Sequence, residues 1–341
     1  MGGLTHLRWT SRRLLPHSRQ VSYSDPGRGI QAEDAAGAFA DTASVRAGLA
    51  AQGYLADDKI AGVVSLAARL GKPLLIEGPA GTGKTQLAKS VAQLAARPLI
   101  RLQCYEGIDE SKALYEWDYR KQLLWIQAAR GDETFSADAV VEDGKGIFDE
   151  RFLLTRPMLE AIRSPEPAVL LVDEVDRVDA ETEALFLEVL AEYQVSVPEL
   201  GRLTARHLPL VFLTSNGTRD LSEALKRRCL FLYLDYPAPQ REREIVAQAV
   251  PGLEQALVER LVGLVDTLRR LNLKKPPSIS ETIDLARTLH LLGATDVDLS
   301  DSSLTLNVLL KYRDDVQIAD AALARASQPR PWQPRPSPPR P

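Results

Sequence analysis

A glycine-rich segment at residues 78–85 carries the clearest chemistry in the sequence. It reads Gly-Pro-Ala-Gly-Thr-Gly-Lys-Thr and matches the phosphate-loop pattern G-x-x-x-x-G-K-[ST], between a predicted strand at 72–77 and a predicted helix at 85–96. Glycines let the backbone turn its N–H groups toward phosphate oxygens, and a helix N-terminus favours the same anion. A merely flexible turn is the alternative, and the flanking strand and helix argue against it.

We expect this whole segment to bind the phosphates of a nucleotide: Gly78, Pro79, Ala80, Gly81, Thr82, Gly83, Lys84 and Thr85. Lys84 is expected to reach the β- and γ-phosphates, and the Thr85 hydroxyl to bind Mg²⁺. A phosphate loop contacts only the part that ATP and GTP share, so it does not distinguish between them.

Two carboxylates, Asp173 and Glu174, directly follow the apolar run at 168–172. Ligands bind at the carboxyl ends of the strands in open α/β sheets. Successive strand residues point to opposite sides, so we expect Asp173 to face Mg²⁺ and Glu174 to act as general base on a water aimed at the γ-phosphate. An acidic pair alone is often only a polar strand end, but after a phosphate loop it indicates a nucleotide site.

Three further residues have both a chemical and an ordinary interpretation. Asn216 ends the apolar run at 210–215 and could hydrogen-bond the attacking water and the γ-phosphate, or it could simply form an Asn-Gly turn. Arg227 and Arg228 precede another predicted strand. They form either a solvated helix face or, in a ring of subunits, an arginine finger that enters a neighbour's site.

The pattern of elements around these residues alternates between strand and helix. Strands are predicted at 72–77, 99–103, 169–172, 210–214 and 230–234, with helical patterns such as 180–192 between them. This predicts βαβ units and the α/β class, with a P-loop NTPase parallel sheet flanked by helices. Beyond residue 239 only helices are predicted, at 241–250, 253–271, 280–292 and 304–326.

The chain is therefore expected to divide into four segments. They are a basic, disordered leader at 1–50, an α/β nucleotide-binding domain at 51–238, an all-α lid at 239–326 and a Pro/Arg-rich disordered tail at 327–341. Residues 1–24 superficially suit a transit peptide because they contain four arginines and no acid, but we favour a plain leader or an upstream start codon.

Composition excludes several classes of protein. The 341 residues carry a net charge of −4, and residues 51–328 carry −9 because the leader and the tail are basic. This argues against nucleic acid as the main partner. Cys104 and Cys229 fit neither a disulfide framework nor a zinc knuckle, which favours a reducing, cytoplasmic setting. No apolar run approaches the ~18 residues of a membrane span, so no stable membrane insertion is expected.

The order of these motifs over residues 55–325 resembles the AAA+ ATPases, and within them the MoxR family. Residues 148–162 resemble the MoxR insert before the acidic strand, and 192–205 resemble the β-hairpin before the asparagine strand. Residues 102–117 are similar to CoxD-type members, which are encoded with carbon monoxide dehydrogenase and related molybdenum hydroxylases.

The resemblance implies a ring-forming ATPase, a homo-hexamer, that uses ATP and Mg²⁺ as a chaperone in metal-centre maturation. A von Willebrand A-type protein and a metalloenzyme client are its implied partners. The resemblance assigns nucleotide binding to the phosphate loop, Mg²⁺ to Asp173, the base to Glu174, a polar sensor to Asn216, and the finger to Arg228, with Arg227 second.

One position departs from the family. MoxR proteins usually carry an arginine at the start of a lid helix, where this chain has Ser280, Glu281 and Thr282. Sensing of the γ-phosphate by the lid is then lost, or supplied by another residue such as Arg287.

The leading hypothesis is thus an ATPase that remodels a client protein. A nucleotide-gated assembly module with little turnover is the second, and the missing lid arginine favours it. A nucleic-acid-remodelling ATPase is the third, and the lack of a basic stripe with interleaved aromatics argues against it.

Overall fold

The computed structural model describes residues 37–129, 146–294 and 302–327. The expectations for the leader up to residue 36 and for the tail from residue 328 lie outside the described residues. The described ranges contain nine strands: β1 Leu74–Glu77, β2 Leu99–Gln103, β3 Tyr115–Trp117, β4 Leu153–Thr155, β5 Val169–Asp173, β6 Gln194–Val197, β7 Gly201–Thr204, β8 Leu210–Ser215 and β9 Leu230–Tyr233.

The same ranges contain thirteen α-helices. They are α1 Thr42–Ala51, α2 Asp58–Leu70, α3 Lys84–Leu94, α4 Glu110–Ala113, α5 Tyr119–Ala129, α6 Pro157–Arg163, α7 Ala180–Glu192, α8 Glu223–Arg228, α9 Pro239–Ala249, α10 Gln255–Arg269, α11 Ile279–Leu291, α12 Ser302–Leu309 and α13 Arg313–Ser327. None of the helices in these ranges combines the length and hydropathy that a membrane span needs.

Five strands form a parallel sheet in the order β2-β5-β8-β1-β9. The predicted α/β class, a parallel sheet flanked by helices, is confirmed, and the five predicted strands agree with the observed bounds to within two residues. The sequence signal was clear because a parallel strand covered on both faces reads as a continuous apolar run.

The two faces of the sheet pack into separate hydrophobic clusters. In β5, Val169 and Leu171 pack in the cluster that includes α1, α2 and α3, whereas Leu170 and Val172 pack in the cluster that includes α6, α7 and α8. Both clusters therefore fix β5 in position, and with it the acidic pair at its end.

Helix α1, Thr42–Ala51, begins inside residues 1–50, where a disordered leader was expected. The Asp41 carboxylate accepts a hydrogen bond from the Ser44 N–H at 2.7 Å and caps the helix. Val45 and Leu49, one turn apart, are fully buried. A helix with only two buried residues presents an apolar stripe too narrow to recognise in the sequence.

Two antiparallel strand pairs lie outside the main sheet. The hairpin expected at 192–205 is present as β6 paired with β7. The segment 102–117 ends in β3, which pairs with β4 from the expected insert at 148–162. These two stretches, distant in sequence, therefore form one substructure on the edge of the α/β domain.

The C-terminal helices α9 to α13 share a third hydrophobic cluster. Glu242 on α9 is fully buried and accepts two hydrogen bonds from Arg269 of α10, at 2.5 and 2.8 Å, and one from Thr282 of α11, at 2.8 Å. A buried carboxylate with this many donors is satisfied, so it joins three of the C-terminal helices.

The helix predicted at 304–326 is divided into α12 and α13. Near the start of α13, the buried Asp315 accepts hydrogen bonds from the N–H groups of Lys274 and Lys275 at 2.8 and 3.0 Å. The break at 310–312 brings this carboxylate to the 274–275 loop, a long-range contact that helical periodicity does not encode.

Candidate active site

The predicted site residues meet at the carboxyl edge of three adjacent strands. β1 and β5 flank β8, with Glu77 opposite Ser215 and Val172 opposite Leu213. The phosphate loop follows β1, the acidic pair ends β5, and Asn216 follows β8. Parallel strands in register thus bring residues from three distant parts of the chain to one place.

The phosphate loop depends on glycine at three positions. Gly78, Gly81 and Gly83 have φ angles of +153°, +77° and +92°, which side chains disfavour. A Cβ atom at Gly78 would lie 1.9 Å from the carbonyl oxygen of Leu234, and one at Gly81 would lie 2.0 Å from the Ser278 hydroxyl oxygen. At Gly78 and Gly81 the loop is therefore packed against the end of β9 and the start of α11, with space only for backbone.

Lys84, the first residue of α3, is directed into the loop and is only 6% exposed. Its Nζ donates to the carbonyl oxygens of Gly78 and Pro79, both at 2.7 Å, and to Oδ1 of Asn216 at 2.8 Å. Burial lowers the pKa of Lys84, and nearby carboxylates, first Asp176, oppose that shift. The predicted phosphate-binding lysine and polar sensor are thus in direct contact.

Asp173 is buried and accepts hydrogen bonds at both of its oxygens. Oδ1 accepts from the Thr85 hydroxyl at 3.0 Å and the Thr214 hydroxyl at 2.5 Å. Oδ2 accepts from Nε of Arg101 at 3.1 Å and from its Nη2 at 2.5 Å. The two predicted magnesium ligands, Thr85 and Asp173, are therefore adjacent, with an unpredicted arginine beside them.

The oxygens of Thr85 and Asp173 fit Mg²⁺, which prefers oxygen ligands and commonly binds through one or two protein groups plus substrate phosphates. Within the described ranges, no group of three or more His, Cys, Asp or Glu residues could hold a metal ion by itself. A cation at this site would accordingly take its remaining ligands from phosphate and water.

Glu174 leaves the strand in a left-handed conformation, with φ +58°. The backbone N–H donates to the Thr214 hydroxyl at 2.9 Å. The carboxylate accepts from Nε of Arg177 at 2.8 Å, Nε2 of Gln103 at 3.2 Å and Nδ2 of Asn216 at 3.5 Å. The predicted orientation of Glu174 was based on the alternation of side chains along a strand, and this alternation does not orient the residue. Its orientation comes from a strained backbone that is held by Thr214.

Asn216 is fixed through its backbone as well as its amide. Its N–H donates to Oδ2 of Asp176 at 3.2 Å, and the same oxygen accepts from the N–H and hydroxyl of Thr218 at 2.9 and 2.6 Å. Burial acts to raise the pKa of Asp176, but these hydrogen bonds outweigh it and leave the pKa below its ordinary value. Gly217 has φ +72°, so the Asn-Gly turn and the contact with Lys84 coexist.

Several residues of this network were not predicted, among them Arg101, Gln103 and Asp176. In the sequence, Arg101 is distinguished only as a charged residue in a mainly apolar strand. Asp176 is distinguished only as an acid three positions after Asp173. Neither signal indicates a partner, because the contacts depend on how β2, β5 and β8 pair in the sheet.

Residues 73–229 match the family described as the AAA domain, dynein-related subfamily. The matched residues are just under half of the chain and include the phosphate loop, Asp173, Glu174 and Asn216. An uncharacterised protein of Staphylococcus haemolyticus is 25% identical over 239 residues, which are 68% of this chain and 78% of that protein. The denitrification regulatory protein NirQ of Pseudomonas aeruginosa is 26% identical over 225 residues, 66% of this chain and 78% of that protein.

A solved structure of Thermotoga maritima RuvB, titled a Holliday junction branch migration motor, is 17% identical. It aligns over 74% of this chain and 70% of its own, with a TM-score of 0.43.

The two arginines of α8 do not join the network at the phosphate loop. Arg227 and Arg228 are exposed, and Nη1 of Arg228 donates to the Leu187 carbonyl oxygen at 3.3 Å. They directly precede β9, whose first residue pairs with the first residue of β1, whereas the phosphate loop follows the last residue of β1. Arg227 and Arg228 therefore lie at the opposite edge of the sheet from the phosphate loop of the same chain.

The acid at the start of α11 has a structural role. Glu281 accepts hydrogen bonds from the N–H and the hydroxyl of Ser278, which forms a capping box, and its other oxygen lies 3.6 Å from Nζ of Lys275. Burial acts to raise the pKa of Glu281, while the bonds from Ser278 prevail and lower it. Glu281 thus stabilises the helix start where an arginine was expected from the family.

Arg287 is not placed to substitute for that arginine. It lies seven residues beyond Ser280, about 10 Å along the helix at 1.5 Å per residue, is exposed, and pairs with Asp284 at 3.7 Å. At the start of α11, Ser278 and Ser280 reach the phosphate loop, and the Ser280 hydroxyl lies 3.5 Å from the Gly81 carbonyl oxygen.

Proposed function

We propose that this protein is a MoxR-type AAA+ ATPase that hydrolyses ATP with Mg²⁺ and uses the energy to remodel a client protein. The observation that carries the proposal is one hydrogen-bonded network at the sheet edge. It contains Lys84, Thr85, Asp173, Glu174 and Asn216. The carboxylate of Glu174 beside an amide that also contacts the phosphate-loop lysine supports hydrolysis in addition to nucleotide binding.

Binding of ATP is assigned to residues 78–85, with Lys84 on the β- and γ-phosphates. Thr85 and Asp173 are the residues that would hold Mg²⁺, which when bound neutralises charge on the phosphates. Lys84 would exchange the carbonyl oxygens of Gly78 and Pro79 for phosphate oxygens, which carry more negative charge.

Hydrolysis is assigned to Glu174 and Asn216. Glu174 takes a proton from water as the water oxygen bonds to the γ-phosphorus and the bond to the β–γ bridging oxygen breaks, which leaves ADP and phosphate. Asn216 contacts Glu174 through Nδ2 and Lys84 through Oδ1, so it lies between the base and the lysine that binds the γ-phosphate.

We propose further that the protein works as a homo-hexameric ring. Arg228, with Arg227 as the second candidate, would then complete the site of a neighbouring subunit and stabilise the transition state there. The exposure of both arginines and their position at the far edge of their own sheet support action on another subunit.

The proposed setting is cytoplasmic maturation of a molybdenum hydroxylase such as carbon monoxide dehydrogenase, beside a von Willebrand A-type partner. The support is the resemblance of residues 102–117 to CoxD-type proteins. The acidic charge of residues 51–328 supports a protein client over a nucleic acid. Recovery of a metalloenzyme with tagged Glu174→Gln in ATP, and not in ADP, would support this setting.

Phosphate release from ATP and Mg²⁺ by the purified protein tests the proposed activity. Lys84→Ala should bind nucleotide weakly and release no phosphate, while Lys89→Ala, an exposed lysine on the same helix, should behave as wild type. Glu174→Gln should bind ATP but lose about 100- to 10,000-fold in turnover, and Glu188→Gln on α7 is its exposed control. Release no faster than from Lys84→Ala would reject the ATPase.

A second candidate is a nucleotide-gated assembly module with little turnover. The observation that favours it is Glu281, which occupies the family's lid arginine position with a capping role. Molecular size measured in ADP and in a slowly hydrolysed ATP analogue, together with turnover, separates the two. Assembly that requires the analogue without measurable hydrolysis would favour the module.

A further inference from the structure

Arg101 is a cation at the proposed magnesium site that local sequence does not predict. It lies on β2, and both Nε and Nη2 donate to the same oxygen of Asp173, at 3.1 and 2.5 Å. The other oxygen of Asp173 accepts from Thr85 and Thr214. Every hydrogen-bonding oxygen of the carboxylate is therefore engaged by protein donors.

The pair is asymmetric in burial. The side chain of Asp173 is 4% exposed, whereas that of Arg101 is 45% exposed. A carboxylate this buried is costly without a compensating charge, and the guanidinium supplies it. The arginine itself has open solvent on one side, so it can withdraw without breaking the packing of the core.

Magnesium and this guanidinium would act on the same carboxylate. Like charges at one carboxylate repel each other, and the oxygen that accepts two bonds from Arg101 has little capacity for a further strong partner. We propose that Arg101 competes with the divalent cation for Asp173, so that loading of Mg²⁺ with nucleotide requires Arg101 to release this carboxylate. This inference rests on the proposed nucleotide function of the same site.

The release would also reach the general base. Nη2 of Arg101 donates to Oε1 of Gln103, and Nε2 of Gln103 donates to Glu174 at 3.2 Å. Movement of Arg101 away from Asp173 thus frees the residue that helps to hold Glu174. Cation loading at Asp173 and the position of Glu174 are coupled through two side chains of β2.

The test measures how much Mg²⁺ is needed for binding of a fluorescent ADP analogue, followed by fluorescence anisotropy, so it does not depend on hydrolysis. Arg101→Gln removes the competing charge and should reach half-saturation at about 3- to 10-fold lower Mg²⁺ than wild type. Arg101→Lys keeps the charge but loses the paired bonds, and should fall between the two. In EDTA all three should bind the probe alike.

Arg202→Gln is the matched control for loss of one positive charge. Arg202 lies on β7, in the hairpin that follows Tyr193. The Tyr193 hydroxyl donates to the carbonyl oxygen of Gly71, which precedes β1, whereas the phosphate loop follows the other end of β1. Its Mg²⁺ requirement should equal that of wild type.

Two results distinguish failure of this inference from failure of the proposed function. Wild type that binds the probe no better than Lys84→Ala at any Mg²⁺ concentration would reject the nucleotide function. Normal binding with an unchanged or higher Mg²⁺ requirement in Arg101→Gln would reject the competition alone. If Arg101→Gln does not fold, the Mg²⁺ requirement of Arg101→Lys decides the question by the same criterion.

Discussion

Asn216 is positioned by a residue that does not itself contact the proposed substrate. One oxygen of Asp176 accepts bonds from the N–H of Asn216 and from both donors of Thr218. This fixes the backbone on both sides of Gly217, and the Asn216 amide then lies between Lys84 and Glu174. Asp176 is only 2% exposed, so we regard it as a positioning residue and not a catalytic one.

Substitution of Asp176 should therefore affect turnover more than binding. Asp176→Asn retains the shape but weakens three hydrogen bonds to a charged acceptor, and we expect kcat for ATP hydrolysis to fall about 10- to 100-fold. The affinity for nucleotide should change less than kcat, because no residue of the phosphate loop is replaced and Asp176 acts on Lys84 only through its charge and through Asn216. Steady-state kinetics and anisotropy titration measure the two quantities.

Asp220→Asn is the control, since Asp220 lies in the same loop and is exposed. It should leave kcat unchanged. An equal loss of affinity and kcat in Asp176→Asn would contradict a role in positioning Asn216.

At the scale of elements, α7 and α8 are joined by one buried carboxylate. Glu183 of α7 accepts from Arg219 at 2.6 Å and from the N–H of Ser222 at 2.7 Å, and Ser222 caps α8. Burial acts to raise the pKa of Glu183, while the bonds from Ser222 and Arg219 prevail and lower it. The helix that carries the two candidate finger arginines is thus oriented by α7.

The lowered pKa predicts how the stability depends on pH. A carboxylate whose pKa is depressed by folding contributes its full stabilisation above the ordinary value of 4.5 and loses it as the pH falls through the lower folded value. Glu183→Gln should cost about 1–3 kcal/mol at pH 7. The difference in Tm between Glu183→Gln and wild type should be constant down to about pH 5.5 and should shrink below about pH 4.5.

Thermal unfolding from pH 7 to pH 3 measures this difference. Glu188→Gln, on the exposed face of α7, should differ little from wild type at any pH. A difference for Glu183→Gln that stays constant down to pH 3 would show that the ionised carboxylate is not the stabilising species.

The contact between lid and phosphate loop gives a second prediction at this scale. A Cβ atom at Gly81, φ +77°, would lie 2.0 Å from the Ser278 hydroxyl oxygen and 2.7 Å from its Cβ. Gly81→Ala should therefore displace α11, weaken nucleotide binding at least tenfold and cost more stability than the ~1–2 kcal/mol of a left-handed alanine.

Gly201→Ala separates backbone strain from this clash. Gly201 has φ +80°, and a Cβ atom there would meet nothing within 4 Å. Denaturant unfolding should show the strain alone, with normal nucleotide affinity. Equal effects of the two substitutions would mean that the lid does not press on the loop.

Across the whole molecule, features that depend on local sequence were predictable, and features that depend on contacts between distant residues were not. The five central strands and the phosphate loop were predictable because buried apolar runs and the glycine pattern are local signals. The partners of Asp173 were not, since Arg101 lies 72 positions away and meets Asp173 only because β2 pairs with β5. The break between α12 and α13 likewise depends on the distant contact of Asp315 with the 274–275 loop.

The position of Arg228 allows a test of the proposed ring with two inactive proteins. Arg228→Ala keeps its own phosphate loop but lacks the arginine, and Lys84→Ala lacks the lysine but keeps the arginine. If the arginine acts on a neighbour, a mixed ring contains sites in which an intact phosphate loop faces an intact arginine. With random assembly at equal amounts, about a quarter of the sites are complete.

The mixture should therefore recover about a quarter of the wild-type rate of phosphate release, while each variant alone stays near background. A parallel mixture of Arg227→Ala with Lys84→Ala identifies which arginine acts. The variant that lacks the acting arginine is inactive alone and recovers activity on mixing, whereas the other arginine variant is already active alone. Within one subunit, Arg228 and Lys84 lie at opposite edges of the same sheet and are therefore far apart. No recovery on mixing, with mixed rings verified by size, would mean that the arginine does not complete a neighbour's site.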